Sequence, residues 1–168
     1  MAQGKSLNFR ERFCDKSIAS VAYFLPLFEM IQAFKFSCLN TILPLDQLLL
    51  SGPLPKFLNF YATNSISLFA FLIGYFFIVR PKLTFRRFVR FNVAQALLLY
   101  LVSTLLCYSY FMVPVLIKQS IFGFIIESIF YLAIVGTTTY SMTSVFLGLY
   151  TDIPILSEAA EMHVPSNN

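Results

Sequence analysis

Tryptophan is absent from this chain, histidine occurs once, and charged residues make up only 12% of it. Each scarcity excludes something. With His163 alone, and that near the C-terminal end, no nucleophile–base pair can be drawn, so the chain is not expected to be an enzyme. Six glycines form no phosphate-cradling loop. Cys14, Cys38 and Cys107 stand far apart, with neither metal-type nor disulfide-type spacing. Glu158, Glu161 and His163 are crowded in the tail without a remote fourth ligand, so no metal and no cofactor is expected. The basic residues lack the aromatic interleaving of a nucleic-acid surface. Without Trp, anchoring at membrane interfaces falls to Tyr and to terminal Lys and Arg. The opening "MAQGKSLNFRERFCDK" has no apolar h-region and no small-residue cleavage site, which argues against a signal peptide. A Ser/Arg-rich, acid-poor leader is missing too. The expectation is a product made in its own compartment, or one whose leader is not part of the sequence.

What is present is apolar. Hydrophobic residues reach 58%, with Phe 20 and Tyr 9, and the mean hydropathy is +0.74. They fall in long blocks, the pattern of a membrane protein. The fold class expected is all-α: a polytopic membrane protein with four transmembrane helices in one domain, residues 1–168, with a polar N-terminal segment (1–16) and a short C-terminal tail (151–168). The spans run from Ile18 to Phe34, Ala62 to Val79, Val89 to Phe111, and Ser120 to Tyr150. At 1.5 Å per residue the second is about 27 Å long, just enough to cross. The fourth exceeds about 40 Å and must tilt, kink or project. Between the first two, "LPLDQLLLSGPLPKFLNF" is broken by Pro44, Pro53 and Pro55. Leu45, Leu48 and Leu49 share one side, which predicts a short amphipathic helix in the interface, with Asp46 and Lys56 wet.

Charge sets the orientation. Lys5, Arg10, Arg12 and Lys16 precede the first span, and Arg80, Lys82, Arg86, Arg87 and Arg90 lie at the second connection. Nine basic residues thus share one side, against Lys35, Lys56 and Lys118 on the other. The positive-inside rule puts both termini inside, and the arginine loop is suited to anionic lipid headgroups.

Polar side chains inside the spans are the candidate functional residues. Asn92 and Gln95 open the third helix. Ser103 follows Asn92 by eleven positions, within about 20° of the same direction. An unpaired amide in hydrocarbon costs several kcal/mol, so this stripe faces protein or water, either as interhelical glue or as a water- or peptide-lining surface. Glu29 and Gln32 form a similar pair on the first helix, and Glu127 starts the fourth; each acid reads as a solvated helix-end group or a functional one. On the fourth helix Ala133, Thr137 and Ser141 repeat at every fourth position, as do Ser144 and Gly148, a pattern for close packing or for the polar wall of a conduit. Depth matching predicts that Asn92 or Gln95 bonds the fourth helix around Ser141 to Gly148. In the tail, Pro154 and Ser157 predict a capped short helix, with Ser157 as cap and Glu158 in the first turn, docked under the bundle or onto a partner.

Three stretches carry a resemblance. "RFVRFNVAQALLLYLVS", "SVAYFLPLFEMI" with Tyr23, Pro26 and Leu27, and "YTDIPILSEAAEMHVP" with Pro154, Ser157 and Glu158 occur in order. Together they resemble the twenty-kilodalton Tic subunit family of the inner-envelope translocon of chloroplasts, from about Ser17 to Pro165. The chain departs from the family at Ala94, Tyr100 and His163, where methionine, an acid and glutamine are usual. The resemblance implies a translocon subunit lining part of a protein-conducting path in the plastid inner envelope, with both termini in the stroma. In a bacterial source the place would be the cyanobacterial plasma membrane. It implies as partners other translocon subunits, precursor polypeptides in transit and a second copy of the chain. The competing reading is a small-solute carrier or a non-conducting assembly scaffold, although a carrier should show repeat symmetry and helices broken at midplane. Four helices fill their own core, so a path would need partners.

Overall fold

The computed structural model describes residues 9–34, 56, 60–61, 66–79 and 85–164. Among them every regular element is helical and no strand occurs. In chain order these are α1 (Phe9–Ala22), α2 (Phe24–Phe34), α3 (Ile66–Ile73) running on as a π-helical segment (Gly74–Val79), α4 (Arg87–Phe111), the short α5 (Val115–Lys118), α6 (Ile121–Leu147) and α7 (Leu156–His163). Two of them, α4 and α6, are long and apolar enough to cross a membrane. The expected interfacial helix with Leu45, Leu48 and Leu49, the residues Arg80 and Lys82, and the start of the second span lie outside the described residues.

The expected first span is two helices, not one. Pro26 has no N–H, so the carbonyl of Ala22, four residues back, loses its helical donor. The chain answers with a turn at Tyr23, whose N–H donates to Ser20 O at 3.1 Å. Pro26 then falls in the first turn of α2, where a donor is dispensable. On the other side, α1 reaches back to Phe9, so part of the polar N-terminal segment is helical.

α4 is the central element, and two buried clusters meet along it. Ala96 and Leu99 pack with Ala19, Tyr23 and Met30 of the α1–α2 pair and with Ile134 and Val145 of α6. Val89, Phe91, Val93, Ala94 and Leu97 pack with Val79, Ala160 and Val164. Every residue from Phe91 to Leu97 is buried. Over this stretch α1, α2, α6, the π-helical segment and α7 enclose α4 on all sides, while from Leu101 onward one side is open, with Leu105 and Tyr108 exposed.

α6 begins at Ser120, whose hydroxyl accepts from Gly123 N at 3.4 Å, and ends at Gly148 (φ 82°) in the left-handed region that suits glycine. The tail helix forms, but Ser157 is not its cap. Ile155 occupies that position, with no side-chain cap. The Ser157 hydroxyl instead donates to Ile153 O at 2.7 Å, with the Asp152 carboxylate at 3.1 Å. The turn at Pro154 starts the helix two residues earlier than a Ser157 cap would.

Candidate functional site

Charged groups gather where the middle of α1 meets the start of α4 and the end of α6. Lys16 Nζ donates to Phe146 O at 2.9 Å, occupying a carbonyl that the last turn of α6 cannot satisfy itself. Arg86 pairs with Asp15 at 3.1 Å. Arg87 lies 3.9 Å from Glu161 and 6.0 Å from the Tyr150 ring centroid. Arg90 Nε donates to Val79 O at 3.0 Å, at the end of the π-helical segment. Exposed pairs of this kind contribute about 0–1 kcal/mol each. Their consequence is registry: Arg86, Arg87 and Arg90, expected to face lipid headgroups, each also hold a neighbouring element of the same chain.

Just inside this charged end lies a closed polar knot. Tyr23 OH donates to Gln95 Oε1 at 3.2 Å. Gln95 Nε2 donates to Thr151 O at 3.2 Å. The Thr151 hydroxyl points at Asn92 Oδ1 (3.3 Å), with Ser141 O at 3.5 Å. Asn92 Nδ2 donates to Phe88 O of its own helix at 2.9 Å. Tyr23, Asn92, Gln95 and Ser141 are each 0% exposed, and Thr151 is 1%. One knot therefore ties the α1–α2 turn, α4, α6 and the start of the tail. The break made by Pro26 matters here, because it sets the tyrosine at the turn against α4.

The two amides thus face protein, and their partner on the α6 side is Thr151. It lies three residues beyond the Ser141–Gly148 stretch where the bond is expected, and reaches Ser141 only through its carbonyl. Ser103 is buried but bonds back to Leu99 O at 2.8 Å. Thr137, Ser141 and Ser144 likewise donate to carbonyls four residues back, at 2.7, 2.8 and 3.0 Å. A hydroxyl can satisfy itself on its own helix in this way. The expected small-residue face of α6 packs only at its lower end: Ser141 and Ser144 are buried, Thr137 is half-buried, and Ala133 and Gly148 are exposed.

Glu29 is partly buried on α2, away from the knot, and the side chain of Gln32 lies outside the described set. Glu127 overturns its reading as a solvated helix-end acid. It is 7% exposed, accepts from Tyr110 OH at 3.2 Å, and its second oxygen has no hydrogen-bond partner among the described residues. Cys107 packs beside Met30, sulfur to sulfur 3.5 Å. Among the described residues no cluster of three or more His, Cys, Asp or Glu could hold a metal. Tyr23 and Thr151 were not among the expected site residues. Tyr23 had a signal: a phenol inside an apolar run, three residues before a proline, needs a partner for its OH. Thr151 had none, since its role depends on the tail folding back.

Fold and site together define an all-helical protein with helices of membrane-crossing length, locked at its charged end by buried amides. A family model described as "Chloroplast import apparatus Tic20-like" matches residues 5–160. The chain is 31% identical over 167 residues to the Tic20 family protein Ycf60 of Porphyra purpurea, covering 95% of this chain and 80% of that one. It is 30% identical over 159 residues to Protein TIC 20-v, chloroplastic, of Arabidopsis thaliana, covering 89% and 71%. The chain belongs to the Tic20-like family, and its general role is in plastid protein import.

Proposed function

We propose that the chain is a non-enzymatic, four-span subunit of the inner-envelope protein translocon, with both termini in the stroma, and that it lines the polypeptide path with its flank. The observation that carries the flank reading is the enclosure of α4. Phe91 to Leu97 are all buried and the amide stripe is sealed, so no polypeptide passes through the middle of the bundle without unfolding it. The exposed side of α6 is the available wall, and other translocon subunits or a second copy supply the rest. The antiparallel arrangement, with α4 starting and α6 ending at the charged end where the middle of α1 lies, supports alternating spans with the basic residues on the stromal side. Anionic headgroups meet that end, and no nucleic acid or cofactor takes part.

The test is photo-crosslinking with an import precursor arrested in the membrane. Probes go at Ile125, Leu132 and Tyr140 on the outer face of α6, and at Gln95 and Ser103 on the sealed stripe. Precursor adducts are expected from the α6 positions and not from the stripe. Adducts from Gln95 would move the path to the centre of the bundle, and none from any position would sink the reading.

A further inference from the structure

Between the α1–α2 pair and α3 the bundle leaves a groove of about 560 Å³. Its origin lies in how α3 is held. The π-helical end is pinned to α4: a Cβ on Gly74 would stand 3.3 Å from the Leu97 side chain, and Arg90 holds the Val79 carbonyl. The Phe71 and Tyr100 rings meet with centroids 5.9 Å apart. Toward α1 and α2 the chain presents Ile66, Ala70, Ile73 and Gly74, one helical stripe at i, i+4, i+7 and i+8. Two of these have little or no side chain, so the face is recessed and the space stays open.

The opposite wall runs from Ser17 and Ile18, past the turn at Tyr23, to Leu25 and Phe28. The Phe28 and Tyr61 rings lie 5.9 Å apart, which puts Tyr61 at that end. Ile18 and Tyr75 pack on the same buried cluster, which puts the start of the π-helical segment at the other.

The lining selects what fits. Apart from Ser17 and Tyr61 it is apolar, and the Ser17 hydroxyl is engaged by Phe13 O at 2.9 Å. Water would have almost nothing to bond there. An extended polypeptide would bring a row of N–H and C=O groups without partners. A helix satisfies its own backbone, but the wall from Ser17 to Phe28 is roughly 16 Å long, and a helix of that length and about 10 Å across fills on the order of 1,200 Å³. That is twice the space. A hydrocarbon chain needs neither polar partners nor that width. An apolar cavity of about 150 Å³ already takes up benzene, and this groove is several times larger. Its surroundings are apolar too, with Val21, Phe69 and Ile73 exposed beside it. One end differs. Tyr61 is 4% exposed, and its OH has no hydrogen-bond partner among the described residues, with the Ser67 hydroxyl nearby. Tyrosines of this kind mark the depth of the membrane interface, where lipid ester carbonyls lie.

We propose that the groove between α1–α2 and α3 binds one acyl chain of a membrane glycerolipid, with its ester carbonyl accepting from Tyr61 OH and its methyl end near Ile18 and Ile73. The chain supplies the packing that α3 lacks against α1 and α2. The site rests on the reading that α3 lies in the membrane, and the experiment separates the two. The purified full chain is placed in bilayers of phosphatidylglycerol with a diazirine in one acyl chain, and part of the sample is then moved to lipid-free micelles. Both parts are irradiated, and adducts are mapped by peptide sequencing. In micelles one lipid per chain should remain, attached at Phe28 or Ile66 when the diazirine is near the ester, and at Ile18 or Ile73 when it is near the methyl end. Phe69, on the outer side of α3, should be labelled in bilayers alone. Ala70→Phe, which fills the groove, should cut retention several-fold without lowering the thermal transition in lipid-free micelles. Tyr61→Phe, which keeps the ring, should cut it less. Labelled Phe69 with no retained lipid would overturn the site and leave α3 in the membrane, whereas no labelling at either place would remove both. Retention unchanged by both Ala70→Phe and Tyr61→Phe, or a reversed order of the two diazirine positions, would also overturn the proposal.

Discussion

Helices α4 and α6 are alike in sequence terms and opposite in surroundings. They have 25 and 27 residues, yet 61% of the most apolar stretch of α4 is buried inside the protein, against 22% for α6. The difference follows the type of polar residue each carries. Asn92 and Gln95 bring acceptor and donor groups that a single helix cannot satisfy: Asn92 bonds its own Phe88 carbonyl and still needs a donor for Oδ1. Most polar residues of α6 are hydroxyls, and Thr137, Thr139, Ser141, Thr143 and Ser144 all bond back along the helix. Thr138 is buried with no hydrogen-bond partner among the described residues. Amides in an apolar helix therefore mark one that must be surrounded, whereas hydroxyls leave it free to face lipid or another subunit.

The largest effect is expected at the amide that joins the most elements. Gln95→Leu leaves the Thr151 carbonyl without its donor and takes the amide acceptor from Tyr23 OH, which keeps the Thr151 and Ser141 hydroxyls beside it. An orphaned buried group costs about 1–3 kcal/mol, so the loss of the Thr151 donor and of the Tyr23 link should lower stability by about 2–3 kcal/mol. Equilibrium unfolding of the purified chain in mixed micelles measures this. A loss no larger than that of a surface change would mean that the knot does not hold the bundle.

The sequence made this comparison only half visible. The ends of α4 and the start of α6 were readable to within two residues from length and apolar content, whereas Gly148, read as part of a packing face in a span running to Tyr150, ends α6 instead. The inward direction of Asn92, Gln95 and Ser103 followed from helical spacing and the cost of burying an amide. Their partners did not follow, because Thr151 reaches Asn92 and Gln95 only after the chain has turned past Gly148. The break at Tyr23 was implicit in Pro26, yet its use as a hydrogen-bonding corner depends on α4 lying alongside. Hydroxyl spacing on α6 suggested a packing face along the helix. The hydroxyls turn inward on their own carbonyls, and the face packs only near Ser141 and Ser144.

A smaller effect should follow from Asn92→Leu. The Asn92 donor is engaged within α4, and its one link to another element is the Thr151 hydroxyl at 3.3 Å. That hydroxyl has a second acceptor near at hand in Ser141 O. Membrane hydrogen bonds between helices average about 0.6 kcal/mol, so the loss should be about 1 kcal/mol or less, well below that of Gln95→Leu. The same unfolding measurement ranks the two, and the reverse order would mean that Asn92, not Gln95, is the centre of the knot.

The smallest effect tests the open side of α6, and its sign is the informative part. Gly123 and Gly136 stand on the same helix, thirteen residues apart. A Cβ at Gly123 would run into the backbone of Ile117 and Lys118, while one at Gly136 meets nothing within 4 Å. Glycine inside a helix is destabilising by roughly 0.5–1 kcal/mol relative to alanine when nothing requires its small size. Gly136→Ala should therefore raise the stability of the isolated chain by about that amount, the opposite sign from both amide changes. A fall in stability instead would mean that another part of the chain packs against Gly136, and α6 would no longer differ from α4 in the way its exposure implies. If the gain appears in the isolated chain but the variant loses precursor or subunit adducts from Leu132 and Tyr140 in the membrane, then the outer face of α6 is covered by protein there. Unchanged adducts would leave that face to contacts that tolerate an extra methyl group.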